Sequence, residues 1–518
     1  MRKIPVISIV LVILICVLYG FFLSHKINLV TADLGRHIKN GEMFFSAGQG
    51  RASLFTNFYS YTEPNFPAIN HHWASGILFF LLWKFLGFGG VQFFFILLSL
   101  ATFFIFFNIA RKSAGTGIAT IVSLLIIPLL AERTEIRPEA FSYFFAGLFL
   151  WLAWAARENK ISIKKLVAAI AVLQIFWVNT HIYFFLGPAI LGTFWLESMI
   201  VAERKKLRKN FSWALIASFA TLFISPFGLK GAFEPLTIFK NYGYMLVENQ
   251  SIPFLQKIMW EPNFFIFKFA FAALIASFVF LLVKSRHFLW QNISFLFLAI
   301  GFSTMAWLQI RNLAIFGLFA LPIISGNMEA AFREKIRAAK KEIARGAFVL
   351  LFFVLFFTVV GNMPALFPYW KEFGWGLENH NSAAADFFKK ENIQGPIFNN
   401  YDIGGYLIFH LYPREKVFVD NRPEAYPAHF FQNTYIPAEE KDERWKVLDQ
   451  KYHFNAIFFS YHDATPWGQK FLASRVNDPV WAPIYVDPYS LLFVKRNENN
   501  QMVIKNYELP KNIFKTSR

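Results

Sequence analysis

The sequence predicts a polytopic α-helical membrane protein with a small α/β domain at its C-terminal end. Three observations carry that prediction. Only 16% of the residues are charged and 56% are hydrophobic, whereas an average soluble protein has about 25% charged residues. Between Ile4 and Met363 the chain holds a series of uncharged stretches of membrane-crossing length. From Pro364 to Arg518 its character changes, with Pro, Asn, Asp and Glu throughout.

The net charge of +18 invites a nucleic-acid reading. Position argues against it: most Lys and Arg residues sit in short clusters beside apolar spans, which is the signal of membrane topology, so no nucleic-acid partner is expected. The single cysteine, Cys16, lies inside the first apolar span, so an internal disulfide is impossible and any exported domain must rest on its core.

Taken in order, Ile4–Ser24 is uncharged behind Arg2 and Lys3. It reads as an uncleaved anchor, since no small-residue cleavage site follows. Trp73–Leu86 is apolar but too short to cross, and Trp73, Trp83 and Lys84 suit a helix at the interface. Gly87–Ala110, Ser113–Ala131 and Ala140–Ala156 then cross in turn. Leu166–Leu196 is too long for one span and reads as two helices that turn near Asn179-Thr180-His181. Phe211–Leu229, Phe269–Val283, Phe288–Ile310, Asn312–Met328 and Gly346–Met363 complete a set of about eleven transmembrane helices.

Basic residues set the orientation. With the N-terminus inside, the inner connections hold 21 Lys and Arg residues and the outer ones 12. That bias supports a cytoplasmic N-terminus, and an odd number of spans puts the tail outside. The domains expected are therefore a transmembrane part, 1–363, which includes a first extracytoplasmic loop at 25–86, and an extracytoplasmic α/β domain, 364–518. In the tail, strand-like runs occur at Pro396–Phe398, Val417–Asp420, Ala456–Ser460 and Leu491–Lys495, with a helical stretch at Ala383–Asn392.

The first outer loop is crowded with ionisable residues for a connector. Asp33 stands near its start, where a carboxylate can take a proton from an attacking hydroxyl. It equally fits the N-cap of an amphipathic helix marked by Leu34, Ile38 and Phe45. Arg36 and Lys39 follow at helical spacing, with Glu42 beyond them. They suit either a phosphate leaving group or lipid headgroups. His71 and His72 precede the interfacial helix, and adjacent residues project in different directions, which argues against a shared metal. No HExxH or CxxC motif points to zinc.

Further along, Glu132, Arg133, Glu135, Arg137 and Glu139 crowd the junction of two spans. They either pair among themselves or, through Arg137 and Glu139, line a cavity shared with Asp33. Arg311 is a lone charge between two apolar spans, placed for a lipid or donor phosphate. His181 is the one ionisable residue in the Leu166–Leu196 stretch. The tail adds Asp402 before Gly404-Gly405, and Asp420 and Arg422 after an expected strand. These last two fit either a site or a structural Asp–Arg turn. Neither GxGxxG nor GxxxxGK[ST] occurs, so the tail has no nucleotide-phosphate loop.

These motifs together resemble the GT-C superfamily of membrane glycosyltransferases, which use polyprenyl-phosphate-linked sugars. The similarity is to the bacterial RgtA/B/C/D-like, mannosyltransferase-like branch. It is carried by D-L-G-R-H-I-K-N-G-E (Asp33–Glu42), Y-S-Y-T-E-P (Tyr59–Pro64), N-H-H-W (Asn70–Trp73), R-P-E-A-F-S-Y (Arg137–Tyr143) and W-V-N-T-H (Trp177–His181). In the tail, F-N-N-Y-D-I-G-G-Y-L and V-F-V-D-N-R extend the likeness to the whole chain.

The resemblance implies an inverting transferase in a bacterial plasma membrane. It would move sugar from a lipid-linked donor to an envelope lipid, glycan or protein acceptor at the outer face, with Asp33 as base. Many relatives place two neighbouring acids in this loop, whereas Ala32-Asp33-Leu34 offers one, so metal-independent transfer without a cofactor is expected. Two other classes stay open. A transporter or flippase of lipid-linked glycans would place ionisable residues in mid-span, and the spans here are almost free of them. A non-catalytic envelope assembly protein would tolerate Asp33→Asn.

Overall fold

A computed structural model describes residues 5–237, 241–360 and 373–514. The chain forms two compact units. The first comprises Met1–His25, Phe93–Ala232 and Leu246–Trp375; the second comprises Lys26–Gln92, Phe233–Met245 and Gly376–Arg518. The opening loop thus belongs to the same unit as the tail. The domain boundary expected at 363/364 lies outside the described residues.

Among the described residues, eight helices are long and apolar enough to cross a membrane: Val6–Leu23, Trp73–Ala114, Glu139–Arg157, Ile163–Thr180, Ile182–Ile200, Pro262–Ser285, Ile310–Ala331 and Lys340–Val359. Two shorter apolar helices, Thr116–Ala131 and Ile293–Leu308, match two further expected spans. The stretch expected as Phe211–Leu229 contains a 14-residue helix, Arg208–Thr221, which is below crossing length. The chain is a multi-pass membrane protein.

Leu313–Ala331 is the centre of the first unit. It is apolar on every side and buried almost throughout, as a helix without a polar stripe must be. It packs on Pro262–Gln291, Thr116–Ala131 and Ile293–Leu308. Val6–Leu23 shows the opposite pattern. Val6, Ile9, Ile13 and Val17 are exposed at helical spacing, while Leu11, Ile15 and Leu18 are buried, so one apolar stripe packs and the other is left for lipid. Between spans, Asn327 donates to Ser277 Oγ at 3.0 Å, the kind of interhelical bond that a bilayer rewards.

A second polar tie involves Glu197, 1% exposed. It accepts from the backbone N–H and the hydroxyl of Ser294 at 3.0 and 2.5 Å, and it pairs with Arg204. This fixes Leu186–Ile200 to the N-terminal end of Ile293–Leu308, where helix dipole and free N–H groups favour an anion. The turn expected near Asn179-Thr180-His181 is present: the helix Ile163–Thr180 ends, His181 is extended, and a 3-10 turn starts at Ile182.

In the second unit, Asp33 is followed by the helix Leu34–Phe45. A short hairpin follows, of β1 (Thr56–Asn57) and β2 (Phe66–Pro67). The helix Trp73–Ala114 breaks at Gly87, whose φ of 65° is open to glycine. This separates the Trp73–Leu86 stretch from the span that follows, as the sequence predicts.

The tail forms a four-stranded sheet from β3 (Ile397–Asn399), β4 (Ala456–Ser460), β5 (Trp481–Val486) and β6 (Ser490–Lys495), in the order β3-β4-β6-β5. The β3/β4 pair is parallel and the other pairs are antiparallel. β3 and β4 are buried on both faces, as expected of strands covered by helices.

Two differences from the sequence reading appear in the tail. β5 was not anticipated. Val417–Asp420 is not a strand of the sheet; it makes one isolated bridge, Ser60↔Val417. Side chains satisfy much of its backbone instead. Asn399 accepts from Phe418 N and donates to Val419 O, Ser60 and Thr62 donate to Phe418 O, and Tyr426 OH accepts from Asp420 N. Buried backbone groups need partners but not necessarily strand partners.

Candidate active site

In the second unit, Asp33 meets residues of the tail. Its backbone carbonyl accepts from His37 N at 3.1 Å, but its side chain makes no cap hydrogen bond. The carboxylate instead accepts from the amide of Asn421, and Arg36 Nη2 lies 3.7 Å from Oδ2. Arg36 Nε donates to Asn421 Oδ1 at 3.0 Å. Asn421 therefore bridges acid and guanidinium and holds both, while the Asp33 side chain keeps 24% exposure.

Asn421 sits between Asp420 and Arg422, which form a buried bidentate pair. Arg422 Nε and Nη2 donate to Asp420 Oδ1 and Oδ2, each at 2.8 Å. Tyr426 OH adds a bond to Asp420 at 3.1 Å, and Asn57 Oδ1 accepts from Arg422 at 2.9 Å. Of the two sequence readings, this geometry matches the Asp–Arg turn. Its place in the site is to present Asn421.

Other residues of this unit fall around that centre. Lys39 Nζ pairs with Glu42 at 2.8 Å. His71 and His72 stack edge to face with centroids 4.3 Å apart, and His72 meets His37 at 5.4 Å. Asp402 is an exposed residue, and desolvation, with the Asp463 and Asp33 carboxylates nearby, pushes its carboxyl up to about 7.

Among the described residues, no three His, Cys, Asp or Glu side chains come together as they would around a metal ion.

The first unit holds a separate centre. Arg133 binds Glu139 through Nε at 2.8 Å and Nη2 at 3.1 Å. Arg137 binds Glu135 at 2.8 Å. Arg311 Nη2 lies 3.8 Å from Glu139, and its guanidinium stands 5.7 Å above the ring of Tyr183. All three arginines also reach Glu248, at 3.0, 3.1 and 3.7 Å for Arg133, Arg137 and Arg311. Burial pushes the Glu248 carboxyl up, but Arg311, Arg133 and Arg137 outweigh it and hold the group well below the usual carboxylate range. Arg137, Glu139 and Arg311 are thus brought together, as the internal-pairing reading has it.

Beside this network lies a small, partly open pocket. Arg133, Glu135 and Glu139 form its charged side, with the hydroxyls of Ser99, Thr102 and Tyr143. Phe95, Leu130 and Leu318 are among its apolar walls. His181 is elsewhere: its Nδ1 lies 2.7 Å from Ser142 Oγ and accepts from Tyr183 N at 3.3 Å. It caps the 3-10 turn whose Tyr183 carries Arg311 and is not among the pocket-lining residues.

Sequence reasoning missed two residues of these centres. Asn421 was visible inside V-F-V-D-N-R but passed over for its charged neighbours. Glu248 is the one acid between Asn241 and Trp260, a signal that gains meaning only when its three partners are known.

No protein-family model matches the sequence, and no curated protein matches it. Solved structures do. The archaeal oligosaccharyltransferase AglB from Archaeoglobus fulgidus, in complex with an inhibitory peptide and a dolichol-phosphate, aligns with a TM-score of 0.60 at 11% identity, over 93% of this chain and 74% of that one. ArnT from Cupriavidus metallidurans aligns in its apo state with a TM-score of 0.53 at 12% identity, over 96% of this chain and 98% of that one. The same ArnT bound to undecaprenyl phosphate aligns at 0.50 and 12%, over 95% and 98%. At such identities the likeness is one of fold: the chain shares the fold of these membrane proteins.

Proposed function

We propose that this protein is a glycosyltransferase that moves a sugar from a polyprenyl-phosphate-linked donor to a hydroxyl of an envelope lipid, glycan or protein acceptor. The observation that carries the reading is the Asp33 carboxylate, part-exposed and oriented by Asn421 and Arg36. A base must be accessible and held in position. The shared fold supports the donor class, since two of the matched structures hold a dolichol-phosphate and undecaprenyl phosphate.

In the proposed step the acceptor oxygen attacks the anomeric carbon and gives its proton to Asp33. The bond from that carbon to the phosphate oxygen breaks, and the lipid phosphate leaves with the electron pair. Beside Asp33, Arg36 is the candidate to meet that phosphate; within the first unit, the cluster of Arg133, Arg137 and Arg311 is proposed to bind a lipid phosphate, since planar guanidinium donors suit an anion. A single activated attack inverts the anomeric centre. We place the N-terminus in the cytoplasm and the tail outside a bacterial plasma membrane on the basic-residue bias. Transfer is proposed to need no metal, so EDTA should leave the rate unchanged.

The test is transfer by purified full-length protein supplied with a panel of radiolabelled undecaprenyl-phosphate sugars and membrane-extract acceptors. Wild type should label an acceptor, and Asp33→Asn should abolish labelling while keeping expression and thermal stability. Full transfer by the folded Asn variant excludes Asp33 as base. Failure with every lipid-linked sugar counts against the enzyme reading.

A further inference from the structure

Glu248 belongs to none of the motifs that carry the family resemblance, yet three guanidinium groups converge on it. We propose that Glu248 is a built-in counter-ion: it pairs with the arginine cluster until the monoester phosphate of a polyprenyl phosphate lipid displaces it. The inference rests on the reading of that cluster as a lipid-phosphate site.

Charge balance is the first argument. Arg133, Arg137 and Arg311 face Glu135, Glu139 and Glu248. Burial pushes the neighbouring Glu132 carboxyl up to about 8, which favours its neutral form. Without Glu248 the cluster would carry an uncompensated positive charge on half-buried groups, which is strongly unfavourable. The cluster therefore needs an anion, which Glu248 supplies.

Mobility is the second argument. Glu139 is 5% exposed and begins a long helix. The Glu248 side chain is 26% exposed and sits on a three-residue 3-10 turn, Val247–Asn249. The turn is tied down without it: Asn249 Oδ1 accepts from Arg311 Nη1 at 3.0 Å, and Gln250 O accepts from Ile310 N at 3.1 Å. Rotation about the side-chain bonds of Glu248 can vacate the cluster while the backbone stays in place.

Fit is the third argument. A phosphate monoester carries up to two negative charges near neutral pH and three acceptor oxygens. It can satisfy three arginines more fully than one carboxylate does. The adjoining pocket, with Phe95, Leu130 and Leu318 in its wall, offers an apolar surface beside that phosphate. A weaker or smaller anion would not repay displacement of Glu248, so the counter-ion also selects.

The experiment measures undecaprenyl phosphate binding to the detergent-purified full chain by tryptophan fluorescence, together with thermal unfolding. Occupancy by a competing internal ligand lowers apparent affinity. Glu248→Gln should therefore bind about tenfold tighter than wild type, even though its unfolding temperature falls. A merely structural role would lower both affinity and stability. Glu248→Asp, which keeps the charge on a shorter reach, should fall between, and it decides the matter should the Gln variant not fold. Arg311→Gln should weaken binding in both backgrounds. Equal or weaker binding by the folded Glu248 variants overturns the counter-ion while leaving the phosphate site standing. No binding by wild type overturns both.

Discussion

Asn421 donates its side-chain amide to the carboxylate of Asp33, and its carbonyl accepts Nε of Arg36 at 3.0 Å. The two contacts use opposite ends of one amide. A flipped Asn421 would set N–H against N–H and oxygen against oxygen, so the network fixes its orientation. Residues almost four hundred positions apart thus form one hydrogen-bonded network, in which the tail holds the Asp33 carboxylate of the opening loop.

It follows that Asn421→Ala should slow transfer without unfolding the protein. Loss of the amide frees the Asp33 rotamer, and a misplacement of about 1 Å in a reacting group costs on the order of a hundredfold in rate. Steady-state kinetics should show kcat falling and the KM for donor nearly unchanged. Asn421→Asp should be worse, because a second carboxylate would face Asp33. An unchanged kcat in Asn421→Ala would remove Asn421 from the positioning role.

Glu197 should matter for stability alone. It is buried, pairs with Arg204 and bonds Ser294 twice. Breaking a buried charge pair by removing one partner costs about 3–5 kcal/mol. Glu197→Ala should lower the unfolding temperature in detergent by several degrees, and the folded fraction should keep its specific activity. The same drop is expected whether or not donor is present.

Asp402 should make stability pH-dependent. Its folded value, about 7, lies above the ordinary carboxylate value of 3.8. A raised acid binds its proton more tightly in the fold, so its favourable contribution is present below about pH 4 and is lost as pH rises through 7. Asp402→Asn should therefore raise the unfolding temperature relative to wild type at pH 8 and make no difference at pH 4. The shift should be small, because Asp402 is exposed and solvent screens its charge. A variant less stable than wild type at pH 8 would reverse the assigned sign.

Local features were legible in the sequence, and long-range ones were not. Spans, the break at Gly87 and the turn at His181 follow from hydropathy and length, which act over one element. The strand Trp481–Val486 was hidden by Pro483, which interrupts a strand pattern and coincides here with a register shift against β6. Val417–Asp420 has strand composition, but whether a strand pairs depends on its neighbours, and here side chains took its backbone groups. Asp33 looked like a helix cap because its partner Asn421 lies in the tail. Glu248 is marked locally only as the one acid of its stretch; its partners are arginines from two other segments.

The approach of Leu34–Phe45 to the start of Trp73–Ala114 offers the last prediction. A Cβ on Gly41 would overlap the carbonyl oxygen of Gly76, and one on Gly76 would sit 2.9 Å from the carbonyl oxygen of His37. The two helices therefore touch backbone to backbone, which only glycine permits. Gly41→Ala forces them apart, at a cost of about 1–3 kcal/mol for overpacking. Because the same helix carries Arg36 one turn beyond Asp33, the displacement should also lower kcat. Gly346→Ala is the matched control: it lies in the helix Lys340–Val359 with nothing within 4 Å of the added Cβ. Relief of backbone entropy should stabilise that variant by about 0.5–1 kcal/mol. Thermal unfolding of the two variants side by side should move in opposite directions, and equal shifts would rule out the close helix contact.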